Sequence, residues 1–380
     1  MKKLYMTLFI LLSTMVLLSA CLQKEKLVDD AEDENNQEKN NAIALSDDLS
    51  EFENVVHDVT FDYGINRLVL SDLVANVELE SIELNENSFV KNIMKWSQGY
   101  AVEVLLSDEP VQHKQTSELD VVMYPEKING NRIQLYNENL KLQNEIDLTG
   151  VLPDEIIEGG AATAVSSDGS KLAWAYITDL YVYDINDGKL TTILNETTNQ
   201  VNFEKIAFTQ DDNKLVFFGS QIDHDEDEQS YGMIELDTKK ISLHTENQFW
   251  GSDIQISPQY ASITDVIDPV SNTSSGNVLI VDIQTGECFT MKVDGTESTM
   301  ARITEDGKHL LVVKDSEKGN YRIRQYQLQT GEAVKETNLP PMEKESKVLA
   351  INATTDPSVY QIVVFTENKY YLFSFNSEES

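Results

Sequence analysis

Apolar residues in this chain come in short bursts separated by polar turns, and the bursts recur. Ser166-Ser167-Asp168-Gly169-Ser170-Lys171-Leu172 leads into Ala173-Trp174-Ala175. The same turn-then-strand unit returns as Thr209-Gln210-Asp211-Asp212-Asn213-Lys214-Leu215 before Val216-Phe217-Phe218. It returns again as Thr304-Glu305-Asp306-Gly307-Lys308-His309-Leu310 before Leu311-Val312-Val313. Weaker copies begin at Ser257 and Thr354, so successive starts lie 43, 48, 47 and 50 residues apart. A second marker keeps step with the first. Asp184-Ile185-Asn186-Asp187-Gly188-Lys189 recurs from Glu235, Asp282 and Gln327, at spacings of 51, 47 and 45 residues. Repeats of this period signal a stacked or radial architecture.

Each marker has a local meaning. Asp-Gly and Thr-Gly pairs tolerate the positive φ that tight hairpins require. Their flanks, such as Leu180-Tyr181-Val182-Tyr183 and Val278-Leu279-Ile280-Val281, are β-branched, aromatic or aliphatic, which favours strands. The third repeat therefore predicts four strands: Ala161 to Val165, Lys171 to Ile177, Asp179 to Ile185 and Lys189 to Leu194. A four-stranded sheet with two apolar faces is buried by stacking neighbours around an axis. The expected fold is all-β, a single propeller of four-stranded blades. No stretch sustains the 3.6-residue period of a helical repeat.

Two degenerate units, around Asp62 to Leu70 and Lys95 to Leu106, raise the blade count to seven. The second carries an insertion, Ser107 to Leu119, before Val121 to Tyr124. The last unit, Ser346 to Phe375, offers three strands, and a fourth borrowed from near Val55 to Phe61 would close the ring. Six complete blades is then the alternative.

Asp168-Gly169-Ser170-Lys171-Leu172-Ala173-Trp174 resembles the turn and strand of the TolB-type, WD40-like propellers of bacteria. The resemblance covers Ala161 to Phe375. The proline of that family's turn is replaced by Ser167, Gln210 and Glu305, and no Trp-Asp blade ending is present. What the resemblance implies is a fold; activity belongs to sites rather than folds.

The amino-terminal end has a different pattern. Lys2 and Lys3 precede an apolar run from Leu4 to Leu18, which ends at Leu18-Ser19-Ala20-Cys21. This reads as an export signal over residues 1–20, and its last four residues resemble the lipobox of bacterial lipoprotein precursors. The resemblance implies cleavage before Cys21 and a diacylglycerol on its thiol. The run is short for a bilayer span, which needs about 20 residues. Residues 21–50, rich in Asp, Glu, Asn and Gln, read as a solvated tether that buries too little apolar surface to fold. A short acidic helix around Leu45 to Phe52 is the local alternative. Residues 51–380 are assigned to the propeller.

The formal net charge is −36, and removal of Lys2 and Lys3 makes it more negative. Nucleic-acid binding needs a basic footprint and is excluded on that ground. Adhesion to an anionic surface is disfavoured in the same way. Cys288 lies in an alternating apolar segment and reads as a small buried hydrophobe.

Candidate chemistry is sparse. No G-x-S-x-G elbow is present, and His57, His113, His224, His244 and His309 form no metal-binding pair. His309 holds the turn position of Lys171 and Lys214. The acidic run with Asp223, Asp225 and Asp227 is a weak candidate for calcium, yet it lacks the glycine spacing of an EF-hand and reads better as a hairpin tip. Trp96, Trp174 and Trp250 are candidate aromatic contacts, Trp174 as core and Trp250 as loop. No cofactor and no catalytic residue is assigned. The expected role is a lipid-anchored, extracytoplasmic binding module for a partner protein, in a Gram-positive envelope by composition. The alternative is an enzyme using carboxylates around the channel.

Overall fold

A computed structural model describes residues 57–377, apart from 63–66, 73–76, 110–111, 116–119, 124–126, 159–160, 197–198, 223–227, 248–250, 266–276, 294–297, 316–319, 343–346, 355 and 367–368. The export signal, the tether and the Leu45 to Phe52 segment lie outside the described residues. No helix among the described residues is long and apolar enough to cross a membrane.

Seven antiparallel sheets follow one another around a ring, making a seven-bladed β-propeller. The first holds β1 (His57–Asp62), β2 (Arg67–Asp72) and β3 (Val77–Glu83). The second holds β4 (Ser88–Trp96), β5 (Gly99–Ser107), β8 (Ile128–Asn137) and β9 (Leu142–Asp147), with a hairpin of β6 (Gln112–Gln115) and β7 (Asp120–Met123) inserted. A short helix, α1 (Asp154–Glu158), leads to the third blade: β10 (Ala162–Val165), β11 (Lys171–Tyr176), β12 (Asp179–Asp184) and β13 (Lys189–Leu194). The fourth is β14 (Val201–Phe208), β15 (Lys214–Gln221), β16 (Glu228–Glu235) and β17 (Ile241–Asn247). The fifth is β18 (Gly251–Ile256), β19 (Tyr260–Asp265), β20 (Asn277–Asp282) and β21 (Cys288–Lys292). The sixth is β22 (Ser298–Ile303), β23 (His309–Asp315), β24 (Tyr321–Gln327) and β25 (Ala333–Asn338). The seventh is β26 (Lys347–Ala353), β27 (Val359–Thr366) and β28 (Lys369–Asn376).

The core lies in the seams between blades. Leu215 and Phe217 pack with Leu180 and Val182 of blade 3, whereas their neighbours Val216 and Phe218 pack with Ile263 and Leu279 of blade 5. Blade 6 divides in the same way, Leu311 and Val313 towards blade 7 and Leu310 and Val312 towards blade 5. Successive side chains of a strand point to opposite faces, so a strand buried on both faces reads as an unbroken apolar run. Burying each such side chain contributes about 1.5–3 kcal/mol.

Two sequence expectations change. His57–Asp62 does not complete the last blade: it pairs with β2, Val59 opposite Leu70, and Val59, Leu68 and Leu70 pack against Val90, Val102 and Val104 of blade 2. That seam consumes the apolar face that ring closure would have used. The insertion also runs past Leu119 and takes in Asp120–Met123. That segment pairs with Gln112–Gln115, and the third place in the blade is taken by Ile128–Asn137, whose Ile133 and Leu135 are buried.

The end blades are incomplete among the described residues. Only four residues separate β3 from β4, too few to run back along a strand, so β3 ends where the inner strand β4 begins. It therefore runs as an outermost strand does, and β1, β2 and β3 fill the second to fourth places. In blade 7 the first three places are filled.

Candidate functional site

The two faces of the ring are built differently. First-to-second and third-to-fourth strand turns lie on one face and are tied together: Ile185 N donates to Ser170 O, Leu236 N to Asn213 O, Ile283 N to Gln259 O and Leu328 N to Lys308 O, at 2.8–3.1 Å. The two sequence markers keep step because they are hydrogen-bonded neighbours. Gly169 and Gly307 in the first marker, and Gly188, Gly286 and Gly331 in the second, have φ between +63° and +75°. Asp212 and Lys239 adopt the same conformation without being glycine.

The opposite face carries second-to-third connections and the crossovers between blades. Here regularity ends. It holds the β6–β7 insertion and α1, and on this side the inner strands are bulged. In β4 the register skips Lys91, in β14 Glu204, in β22 Thr299 and in β26 Leu349; in β18 it shifts across Ser252 and Asp253. Each of Glu204, Ser252, Thr299 and Leu349 stands five residues before the first residue of its turn marker. Ala161 holds that place in blade 3. Bulges re-aim side chains and gather at barrel rims and sites. Glu204 and Leu349 are exposed although Phe203, Ile206, Val348 and Ile351 around them are buried. The sequence carried this signal as a fixed offset from the turn, but a bulge has no residue signature of its own.

Two bulged residues sit in charged surroundings. Lys91 Nζ donates to Ile156 O and Ile157 O at the end of α1. Burial holds its ammonium below the usual lysine range, partly offset by Glu103. Glu103 is fully buried and receives Asn92 Nδ2 at 2.7 Å and Asn131 Nδ2 at 2.8 Å. Across blade 3, Glu204 receives Gln229 Nε2 at 3.4 Å. Although the residue as a whole is exposed, the protein around its carboxyl displaces water from it and pushes its pKa above the ordinary glutamate value, with Gln229 opposing.

The residues singled out from sequence fall as follows. Cys21, Asp223, Asp225, Asp227, His224 and Trp250 lie outside the described residues. Trp174 is core, 1% exposed. The Trp96 ring covers the turn at Gly169. Asp184 is a turn residue whose carboxylate accepts the amides of Asn186 and Asp187. His309 opens β23, half-buried, and His244 lies beside Tyr231. Cys288 is half-buried, its thiol pushed up to about 11 by burial. Among the described residues no group of three or more His, Cys, Asp or Glu is placed to hold a metal ion.

The described architecture is that of a seven-bladed β-propeller. No protein-family model matches the sequence, and neither does any curated protein. Among solved structures, the chain is similar to the β-propeller domain of the Trilobed protease from Pyrococcus furiosus, which has an open velcro topology. Identity is 14%, the match covers 78% of this chain and 83% of that one, and the TM-score is 0.45. A likeness at that level concerns shape and carries nothing about activity.

Proposed function

We propose that this protein is a lipid-anchored, extracytoplasmic propeller that binds a partner protein through its crossover face. The observation that carries the reading is the asymmetry of the two faces. Turns on one face repeat and are satisfied by their own hydrogen bonds, whereas the inner-strand bulges, the insertion and the helix gather on the other. Function in repeat folds resides where loops depart from the repeat. The lipobox-like Leu18-Ser19-Ala20-Cys21 supports anchoring, since two or more acyl chains hold stably where one would not.

Crosslinking in native membranes, followed by affinity purification, tests both parts. Wild type is compared with Cys21→Ala, a crossover-face variant lacking 112–123, and the turn-face variant Asp187→Lys. The expected result is one partner recovered by wild type and Asp187→Lys and lost with the deletion, with the acylated peptide seen by mass spectrometry only when Cys21 is present. Equal recovery by both face variants would overturn the face assignment. An unacylated Cys21 in the native host would overturn the anchor.

A further inference from the structure

Gln229 is 5% exposed, and its side-chain oxygen Oε1 has no hydrogen-bond partner. Its Nε2 is committed to Glu204. The amide cannot turn over without presenting an oxygen to the carboxylate, so the orphan follows from the charge on Glu204. A buried acceptor left unsatisfied costs about 1–3 kcal/mol. The bulge at Glu204 brings the carboxylate to this place, and a side chain in regular register would belong to a different position of the sheet. The result is two acceptor groups, one charged and one neutral, next to each other on the crossover side of blade 4. What such a pair lacks is a positively charged donor.

We infer that Glu204 and Gln229 form a receptor for a primary ammonium group, the lysine side chain or amino terminus of the partner protein. This rests on the partner-binding reading and names the chemistry of one contact in it. Hard metal ions want six to eight oxygen ligands, and two groups are too few. An ammonium has three donors and is served by a carboxylate and an amide oxygen. The strongly acidic chain favours a cationic partner in the same sense.

The probe is Nα-acetyl-lysine methylamide, with the norleucine analogue and calcium as separate arms, titrated calorimetrically into the full chain without its export signal. Wild type is expected to bind the lysine probe and not the norleucine analogue. Glu204→Gln is expected to weaken binding by about tenfold or more, the loss of one charge-assisted contact. Gln229→Met is the second variant, and thermal unfolding verifies that both are folded. Equal binding by wild type and Glu204→Gln overturns the proposal, as does no binding by wild type. Binding of calcium without the lysine probe overturns it in favour of a metal site. A partner still recovered from membranes by Glu204→Gln would remove this contact and leave the partner-binding reading standing.

Discussion

Asp212 joins two blades to each other through Ser167. Its carboxylate accepts the Ser167 amide at 2.6 Å and the Ser167 hydroxyl at 2.9 Å, and the Asp168 amide at 3.2 Å. Lys171 Nζ closes the contact on Asp212 O at 2.8 Å. Asp212 is 7% exposed and holds φ +55°, so the backbone is kept in a left-handed conformation where glycine would be easier. The seam between blades 3 and 4 is what makes the aspartate worth that strain. Hydrogen bonds to a charged group are worth about 1.5–3 kcal/mol. Asp212→Gly relieves the backbone and removes the clamp, so the net change in chemical unfolding is expected to be a loss of about 1–2 kcal/mol. A variant as stable as wild type would show that the clamp contributes nothing.

Gly169 and Gly188 occupy two turns of one blade, both at positive φ, with different surroundings. A Cβ on Gly169 would stand 2.4 Å from the Trp96 ring, whereas the nearest atom to one on Gly188 is the Tyr183 hydroxyl at 3.8 Å. Gly188→Ala therefore costs only the backbone, about 1–2 kcal/mol. Gly169→Ala must also displace Trp96 and is expected to lose more, with a shift in tryptophan fluorescence that Gly188→Ala does not show. Equal losses would mean that the Trp96 ring gives way freely.

Blade 3 was legible almost residue by residue, because its turn residues, its strand lengths and its seams all follow one period. The expected strand Lys171 to Ile177 appears as Lys171–Tyr176 and Asp179 to Ile185 as Asp179–Asp184. Blade 2 misled, because Val121, Val122 and Met123 form a compact apolar run, whereas the strand that joins the blade, β8, carries its buried Ile133 and Leu135 among polar residues. The β1 segment misled for a related reason: an edge strand's sequence says that it pairs, not with which sheet. The Glu204–Gln229 contact was not legible at all. It depends on a bulge that moves one side chain and on an amide 25 residues away, and neither leaves a pattern in the sequence.

The turn aspartates give the fold an acid-sensitive contribution. At Asp211 the hydrogen bond from Thr209 dominates and holds the carboxyl below the usual aspartate range, despite burial. At Asp168 and Asp306 burial opposes the charge most strongly, and hydrogen bonds within each turn still prevail, so both are lowered. A depressed carboxyl stabilises the fold above its unfolded pKa, about 3.9, and that contribution is lost as pH falls through the folded value. Glu204 has the opposite sign. Its pKa is raised, so its charge costs stability as pH rises through the folded value. Asp211→Asn is expected to lower the urea midpoint at pH 7 and to match wild type near pH 2, whereas Glu204→Gln is expected to raise it at pH 7 and to match wild type near pH 3. Parallel midpoint curves for wild type and either variant would contradict the assigned shift.

Lys91 holds α1 against the ring and feels the charge of a buried acid. Its ammonium takes the carbonyls of Ile156 and Ile157, and Glu103 supplies the nearby negative charge. Lys91→Met removes both roles. The carbonyls lose a charged donor and Glu103 is left buried with only the amides of Asn92 and Asn131, a loss of about 1–3 kcal/mol. The helical residues Asp154–Glu158 are expected to exchange their amide hydrogens faster. Adding Glu103→Gln to Lys91→Met should return part of the stability, because no uncompensated charge remains, but should not slow exchange in α1, whose carbonyls still lack their donor. A double variant whose loss equals the sum of the two single losses would show that Lys91 and Glu103 do not sense each other, and that Lys91 serves the helix alone.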